Sequence, residues 1–478
     1  MNFVVNSTTK PLRKIVLAYV FFLCCLNAQA KIWLPSVLSD NMVLQQNSEA
    51  TIWGWTTRAN EKISVTGSWD NIKITVEAYQ GTWSLKLPTP KAGGPFTVTI
   101  EGHEKIILTN VLIGEVWICS GQSNMEWTPL HGLDNAEKEI ANATYSNIRF
   151  FSVPKHISKY PQDDSFGEWV ESAPETMKNF SSVGYFFGRR LHKDLNVPVG
   201  LINSSWGGTN VEVWIPEEVI QQKKELVKSI DRIPENVWRP RNEALAYNAM
   251  IHPLINFDVA GAIWYQGESN RVNAEYYHQA FSMMINSWRK DWKKEFPFYF
   301  VEIAPYNYNS ETNLEAAYVR EAQLKTMQTV ENTGMAVTND IGNLKDIHPT
   351  NKQEVGRRLA LWALAKTYGV KDIAYSGPIY KSLKIEKSKA IVTFDFTGKG
   401  LEVKGKEVKE FFIAGADKKF YPAKVKVYGN RVELKSKKVK KPVAVRFAFT
   451  ETALPNLYNS HGLPAAAFRT DDWGVKKK

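Results

Sequence analysis

The chain has 478 residues but only three cysteines. Cysteine is the residue that forms the disulfides of small secreted domains and binds the metal of zinc fingers. A disulfide scaffold and a zinc-finger array are therefore excluded. The sequence also lacks an HExxH motif and a cluster of cysteine and histidine, so it predicts neither a metal nor a cofactor. A hydrophobic content of 44% indicates a globular chain, and its length suggests about two to four domains.

Long apolar runs are absent as well, and the one near the start is short. Three basic residues precede an apolar stretch from Ile15 to Leu26 that ends in Ala28-Gln29-Ala30. This layout predicts a secretory signal peptide over residues 1–30, cleaved after Ala30. About a dozen apolar residues are too few to cross a bilayer as a helix. We therefore expect an exported protein, periplasmic or extracellular, with no membrane span after cleavage and with Cys119 as its single cysteine.

Positive charge is spread unevenly along the chain. The net charge is +11, and loss of the basic residues of the signal peptide leaves +8. Residues 381–441 hold 18 Lys and Arg against 7 Asp and Glu, so the basic surface belongs to one late segment. Its lysines alternate with apolar residues, which is typical of the solvated face of an antiparallel sheet. We expect no nucleic-acid partner, and weak attraction to anionic glycans or envelope surfaces is the alternative.

Hydrophobic periodicity divides the mature chain into three regions. Residues 31–112 contain short β-rich runs between turns, which predicts an N-terminal β-sandwich-like domain. Residues 113–375 alternate strands with amphipathic helices, which predicts an α/β domain with a parallel sheet between two helical layers. Within it, the polar stretch 217–242 is predicted to be an insertion. Residues 376–478 return to a β-rich pattern.

Polar or flexible residues follow four strands of the predicted sheet. They are Ser123 after the first strand, Gly207 and Gly208 after the second, Gln266, Glu268 and Asn270 after the third, and Asp346 and His348 after the last. Because the carboxyl ends of parallel strands share one edge of a sheet, we expect these groups to lie close together. They comprise a nucleophile, oxyanion donors and a base with its acid, which is the set that acyl transfer requires.

Each of these signals has a structural explanation when it is taken alone. A serine such as Ser123 is typical of a helix N-cap, paired glycines of a tight turn, and a single histidine of a structural contact. The segment around Ser123 is not GxSxG, which disfavours the nucleophile elbow of the α/β-hydrolases. The prediction of an active site therefore depends on the combination.

Four blocks of the sequence resemble a known family. They are Gly121-Gln122-Ser123-Asn124-Met125, Trp206-Gly207-Gly208-Thr209, Trp264-Tyr265-Gln266-Gly267-Glu268-Ser269-Asn270 and Asp346-Ile347-His348-Pro349. These blocks resemble the sialate O-acetylesterases, carbohydrate esterases of the SGNH hydrolase superfamily. The resemblance extends over nearly all of the mature chain. It implies a three-layer α/β/α domain of the SGNH type, flanked by the two β-rich regions.

The resemblance also implies catalytic roles. Ser123 would be the nucleophile and His348 the general base. The superfamily usually places its acid three residues before the histidine, where this chain has Lys345. We therefore take Asp346 as the preferred acid, and the alternatives are Asp340 or a backbone carbonyl that serves a Ser-His dyad.

An oxyanion hole is implied in the same way. Its backbone donors would be the N–H of Ser123 and that of Gly207 or Gly208. Its side-chain donor usually comes from a Gly-x-Asn-Asp block in the superfamily. In this chain the amides of Gln266 and Asn270 compete for that role, and we favour Gln266.

The implied substrate is an O-acetylated sialic acid. Trp206 is a candidate for stacking on a sugar ring, Glu268 for orienting a neighbour or contacting substrate, and Arg239 and Arg241 for pairing with the sialic acid carboxylate. The alternatives are an acetylxylan or other glycan O-acetylesterase and, in a different class, a noncatalytic carbohydrate-binding protein.

Overall fold

The structure is a computed structural model that describes Met1 and residues 31–474. Apart from Met1, the predicted signal peptide lies outside the described residues, as do residues 475–478. Within the described part, no helix is both long enough and apolar enough to cross a membrane.

The N-terminal region is built from two sheets that share one apolar core. Its strands are β1 (Ile32–Trp33), β2 (Val43–Gln45), β3 (Ser48–Thr56), β4 (Lys62–Gly67), β5 (Lys73–Glu77), β6 (Thr82–Thr89), β7 (Gly93–Glu101) and the start of β8 (Lys105–Gly121). Burial alternates strictly along β6, because successive side chains of a strand point to opposite faces. The alternating pattern in the sequence therefore corresponds to side chains that point alternately into the core and into solvent.

Strand β8 joins the N-terminal region to the next without a linker. It is 17 residues long and pairs with β7 at its start and with the strands of the central sheet at its end. The division that we predicted after residue 112 falls inside this strand, and it stays a prediction. The strand that leads to Ser123 is therefore held both by the N-terminal sheet and by the central sheet.

The central sheet has the order β10-β9-β11-β8-β12-β13-β14. The bounds are β9 (Tyr145–Ser152), β10 (Trp169–Ser172), β11 (Val199–Ser205), β12 (Gly261–Tyr265), β13 (Phe298–Val301) and β14 (Thr333–Ala336). Every neighbouring pair is parallel except the edge strand β10, which runs antiparallel to β9. All residues of β12 and β13 are buried, as expected where helices cover both faces.

Helices form a layer on each face of the central sheet. They are α1 (Ser123–Glu126), α2 (Ala136–Ala141), α3 (Pro174–Met177), α4 (Ser182–Leu195), α5 (Glu217–Ile220), α6 (Lys224–Ser229), α7 (Ala274–Trp292), α8 (Glu315–Thr329) and α9 (Lys352–Trp362). Trp264 of β12 belongs to the core under α7 and α8, whereas its neighbours Ile263 and Tyr265 belong to the core under α4 and α9. The predicted three-layer α/β/α class is confirmed.

The C-terminal region is β-rich, as predicted. Its strands are β15 (Ile379–Glu386), β16 (Lys389–Asp395), β17 (Leu401–Val403), β18 (Phe411–Ala414), β19 (Phe420–Pro422), β20 (Lys424–Tyr428), β21 (Arg431–Lys435), β22 (Ala444–Phe447), β23 (Leu457–Asn459) and β24 (Phe468–Arg469). It docks on the α/β domain through the buried Arg320, whose guanidinium donates to the carbonyls of Thr450 and Glu451. The lysines of β20 are exposed on alternate positions, which explains the basic segment.

Candidate active site

The end of β8 brings three strand ends together. Gly121 is the partner of Ser205 in β11 and of Tyr265 in β12. It has a φ of 135°, and a Cβ there would lie 2.2 Å from the Tyr265 carbonyl oxygen, so only glycine fits. Helix α1 then begins at Ser123. The predicted convergence of the strand ends is present at this point of the sheet.

Ser123 and His348 are in contact. The Nε2 atom of His348 lies 2.9 Å from the Oγ atom of Ser123. The imidazole stacks on the indole of Trp127, with ring centroids 4.1 Å apart and planes inclined by 14°. The stack positions the imidazole beside the serine. This role of Trp127 does not follow from the sequence pattern.

Of the two candidate acids, Asp346 is the one that lies at the histidine. Its Oδ1 atom is 3.4 Å from His348 Nδ1 and accepts the His348 backbone N–H at 2.9 Å. Asp340 instead accepts two hydrogen bonds from the Arg358 guanidinium, at 2.7 and 2.8 Å. Because Asp340 is committed to this buried ion pair, it is not placed to orient the imidazole.

The two predicted glycines differ in the availability of their N–H groups. The Gly207 N–H donates to Glu126 Oε2 at 2.6 Å, and Lys155 forms an ion pair with the same carboxylate. The N–H groups of Gly208 and Ser123 have no acceptor among the residues that the structure describes. Gly208 adopts a φ of 72°, in the left-handed region that favours glycine. Of the two glycines, Gly208 is therefore the candidate oxyanion donor, because its N–H has no acceptor in the described structure.

The predicted side-chain donors are occupied elsewhere, which corrects the expectation for both. Gln266 is buried and donates to the Thr209 carbonyl at 3.1 Å and to Asn270 Oδ1 at 2.7 Å. Asn270, also buried, donates to the Glu212 carboxylate at 2.9 Å and to Asn273 Oδ1 at 3.1 Å. All the amide hydrogens are used, so these residues stiffen the base of the site rather than point at Ser123.

A buried network that the sequence did not reveal lies beneath Ser123. The Asn124 amide donates to Glu268 at 2.7 Å and to the Ile347 carbonyl at 3.1 Å, and Asn124 Oδ1 accepts a hydrogen bond from Lys352. Asn124 therefore joins the serine helix to the residue that precedes His348. The available signal was position alone, since Asn124 follows Ser123 and Lys352 begins the helix after His348.

Glu268 is part of this network and does not line the site, which corrects its prediction as a substrate contact. Its side chain is buried, and burial raises the pKa of its carboxyl. Burial also lowers the pKa of Lys352 to about 7, although the charges of Glu268 and Asp346 oppose that shift. A buried acid and a buried amine thus face each other across Asn124.

Comparisons with known proteins decide the family. The family described as carbohydrate esterase, sialic acid-specific acetylesterase matches residues 113–365, which is more than half of the chain. This chain belongs to that family of carbohydrate esterases. It is accordingly a carboxylic ester hydrolase and a carbohydrate O-acetylesterase.

Relatives agree with this membership of the sialic acid-specific acetylesterase family. Human sialate O-acetylesterase is 33% identical over 422 residues, which cover 79% of each chain. The mouse sialate O-acetylesterase is 31% identical over 482 residues, covering 87% of this chain and 89% of its own. A crystal structure of a carbohydrate acetylesterase from Xanthomonas citri has a TM-score of 0.86 and 38% identity, covering 93% of this chain and 100% of that chain.

In this member of the family, the insertion packs on the glycine turn beside Ser123. A Cβ on Gly208 would lie 2.3 Å from the Trp238 ring and 2.8 Å from Arg239 Cδ. The Trp206 indole donates to the Trp238 carbonyl at 3.1 Å. Trp206 and Arg239 are therefore brought to the glycine turn. Of the other tryptophans in or beside the four blocks that resemble the family, Trp117, Trp214 and Trp264 are fully buried in the core.

The two predicted arginines of this acetylesterase are in different situations. Arg241 forms an ion pair with Glu235 at 2.6 Å and donates to the Ile233 carbonyl at 3.1 Å. Arg239 donates to the Pro234 carbonyl at 2.9 Å and has no carboxylate partner in the described part of the chain. Its Nη1 atom is buried without a hydrogen-bond partner there. Only Arg239 therefore retains a charge that no acid neutralises.

We expect Lys352→Met to move the acid limb of the pH profile of this esterase to higher pH. Burial lowers the pKa of His348, and the Lys352 ammonium lowers it further. Because the pKa of Lys352 is about 7, the ammonium is charged on the acid side, where it keeps His348 neutral and able to act as a base. Removing it raises the pKa of His348 and reduces kcat/KM there.

The measurement is kcat/KM across the pH range for the wild type, Lys352→Met and Lys345→Met. Lys345 is an exposed lysine close to the same histidine in the chain and is the matched control. An acid limb that stays in place in Lys352→Met, or moves to lower pH, contradicts the electrostatic role of Lys352.

Proposed function

We propose that this protein is a secreted serine esterase that removes O-acetyl groups from sialic acids through an acyl-enzyme intermediate. The observation that carries the proposal is the 2.9 Å contact between His348 Nε2 and Ser123 Oγ beside the free N–H groups of Ser123 and Gly208. The relatives named sialate O-acetylesterases support the substrate class. The signal-peptide pattern of residues 1–30 supports export.

In the proposed acylation, His348 Nε2 takes the proton of the Ser123 hydroxyl as Oγ attacks the acetyl carbonyl. The negative charge that develops on the carbonyl oxygen is stabilised by the N–H groups of Ser123 and Gly208. Asp346 stabilises the imidazolium through Nδ1. The intermediate collapses by breaking the bond to the sugar oxygen, which receives the proton from His348 and leaves as a free hydroxyl.

Deacylation repeats these roles with water as the nucleophile. His348 takes a proton from water, hydroxide oxygen bonds to the acetyl carbon, and the same two N–H groups stabilise the second tetrahedral charge. Collapse breaks the bond to Ser123 Oγ, which regains its proton from His348. The product leaves as acetic acid, which carries the second proton of the water and ionises to acetate in solution, and the serine and the neutral imidazole are restored.

The proposed substrate carries a carboxylate, and Arg239 is the group that we assign to it. Arg239 has no acidic partner in the described structure and lies on Gly208, whose N–H is one of the two proposed oxyanion donors. A guanidinium offers paired donors that match a carboxylate. Arg241 is already neutralised by Glu235 and is not expected to contribute.

The substrate is tested by measuring acetate release from 9-O-acetylated N-acetylneuraminic acid and from acetylated xylan in parallel. The proposal predicts that the sialic acid ester is hydrolysed with the higher kcat/KM. Release from xylan alone would keep the esterase mechanism but move the substrate to a neutral polysaccharide. Release from neither substrate would contradict the proposed activity.

We expect Arg239→Ala to raise KM for the 9-O-acetylated sialic acid about tenfold, since a hydrogen bond to a charged group contributes about 1.5–3 kcal/mol. Arg241→Ala is the matched control and should leave KM within about twofold. A neutral ester such as p-nitrophenyl acetate should not distinguish the two variants. Equal KM values for the sialic acid ester in Arg239→Ala and the wild type would contradict the assignment.

A further inference from the structure

A second cleft lies away from Ser123, where the N-terminal β region meets the α/β domain. Its volume is about 380 Å³, and Trp55, Tyr79 and Trp83 line one side while Asp163 and Asn256 line the other. This volume is within the range of about 300–1,000 Å³ that is usual for ligand sites. None of the lining residues belongs to the network around Ser123 and His348.

The aromatic side of this cleft is open to solvent at Tyr79 and partly at Trp55, which has Trp33 beside it, whereas Trp83 is buried. The Tyr79 side chain is 73% exposed, and Trp33 is 40% exposed. Trp33 stacks on Trp55, with ring centroids 6.2 Å apart and planes inclined by 21°. Exposed aromatic groups gathered at one place on a soluble protein mark a binding surface. Flat ring faces also match the apolar face of a pyranose.

Some polar side chains of the cleft have no partner in the described structure, whereas Gln162 and His252 are hydrogen-bonded within the protein. The exposed side chains of Glu77, Asp163 and Asn256 have no hydrogen-bond or ion-pair partner among residues 31–474. The buried indole N–H of Trp83 likewise has no acceptor in the described structure. Carboxylates and amides beside aromatic faces can bind the hydroxyl groups of a sugar. The two carboxylates at the same time repel an acidic sugar.

We propose that this cleft is a second carbohydrate-binding site, which takes a neutral pyranose. The inference goes beyond the proposed esterase activity, and it concerns a different sugar from the acidic one assigned to Ser123. A glycan chain held in the cleft raises the effective concentration of its other acetylated residues near the enzyme. The site therefore favours esters on glycan chains over free acetylated monosaccharides.

The test measures binding to the mature chain carrying Ser123→Ala, which prevents turnover. The probes are lactose, cellobiose and xylobiose, with 3′-sialyllactose as the acidic comparison, titrated by calorimetry. We expect saturable binding of at least one neutral disaccharide, weaker by about threefold to tenfold after Tyr79→Ala or Asp163→Ala. Tyr428→Ala is the matched control, because Tyr428 is 48% exposed on the C-terminal sheet.

Three results would overturn the proposal. They are no binding of any neutral disaccharide, binding that Tyr79→Ala and Asp163→Ala leave unchanged, and Tyr79-dependent binding of 3′-sialyllactose in preference to lactose. Sedimentation velocity adds a check on another occupant: a dimer that Tyr79→Ala dissociates would make the cleft a contact between copies of the chain. Esterase activity on p-nitrophenyl acetate should be equal in the wild type and Tyr79→Ala, so failure of the esterase mechanism and failure of this site are separable.

Discussion

His348→Ala is expected to lower kcat for acetate release by about 10³-fold, because the substitution removes the base that contacts the Ser123 hydroxyl. The N–H groups of Ser123 and Gly208 remain, so some stabilisation of the oxyanion survives. KM should change little, since the imidazole acts on the serine rather than on the sugar. Steady-state kinetics on a small acetate ester measures both constants.

His131→Ala is the matched control for this substitution. His131 lies beside the same indole, with its ring centroid 5.2 Å from that of Trp127, but its Nδ1 atom contacts Thr128 rather than the serine. We expect it to retain kcat within about threefold. Comparable losses in both histidine variants would point to damage around Trp127 and would count against His348 as the base.

The two aspartates are expected to give opposite results. Asp346→Asn should lower kcat about tenfold to hundredfold, because the neutral amide no longer stabilises the imidazolium. Its free energy of unfolding should change by less than about 0.5 kcal/mol, since the side chain is half exposed and an amide oxygen can still accept the His348 backbone N–H.

Asp340→Asn should instead destabilise the fold by about 3 kcal/mol, because it breaks an ion pair in which both side chains are only 5% exposed. The kcat of the folded variant should stay within about threefold of the wild type. Denaturant unfolding and steady-state kinetics on both variants check the pair of predictions. A loss of kcat confined to Asp340→Asn would reverse the assignment of the acid.

The fold was predictable because its strongest signals are periodic. The alternation of strands and helices predicts a helix from Ser182 to Leu195, and α4 has those bounds, with its first half buried and its last turn more exposed. Strand β9 was missed, since its first half is polar and Arg149 interrupts the apolar residues Ile148, Phe150 and Phe151. The antiparallel edge strand β10 depends on that missed neighbour.

The site was predictable as far as it follows from topology. The ends of parallel strands meet at one edge, which brought Ser123 and His348 together despite their distance in sequence. Side-chain amides were not predictable in this way, because Gln266 and Asn270 face buried partners that only the packed structure supplies. The hydrogen bond from Lys352 to Asn124 was not predictable for the same reason, because only tertiary packing brings the two residues together.

The choice between candidate acids shows a limit of spacing arguments. Both Asp340 and Asp346 precede the histidine in the same segment. The sequence alone does not show that Arg358 forms an ion pair with Asp340. The buried guanidinium of Arg358 comes from the following helix, α9, and it binds the carboxylate of Asp340 rather than that of Asp346. Asp346 lies beside the imidazole, 3.4 Å from His348 Nδ1, and forms no other ion pair within the described structure.

We propose that Ser123 is the nucleophile of a sialic acid O-acetylesterase. The first measurement is acetate release from 9-O-acetylated N-acetylneuraminic acid by the purified protein from residue 31 onward and by its Ser123→Ala variant, with thermal unfolding recorded for both. We expect release by the wild type and a loss of about 10³-fold or more in a variant that is equally stable. Release by folded Ser123→Ala at a rate near that of the wild type would contradict it.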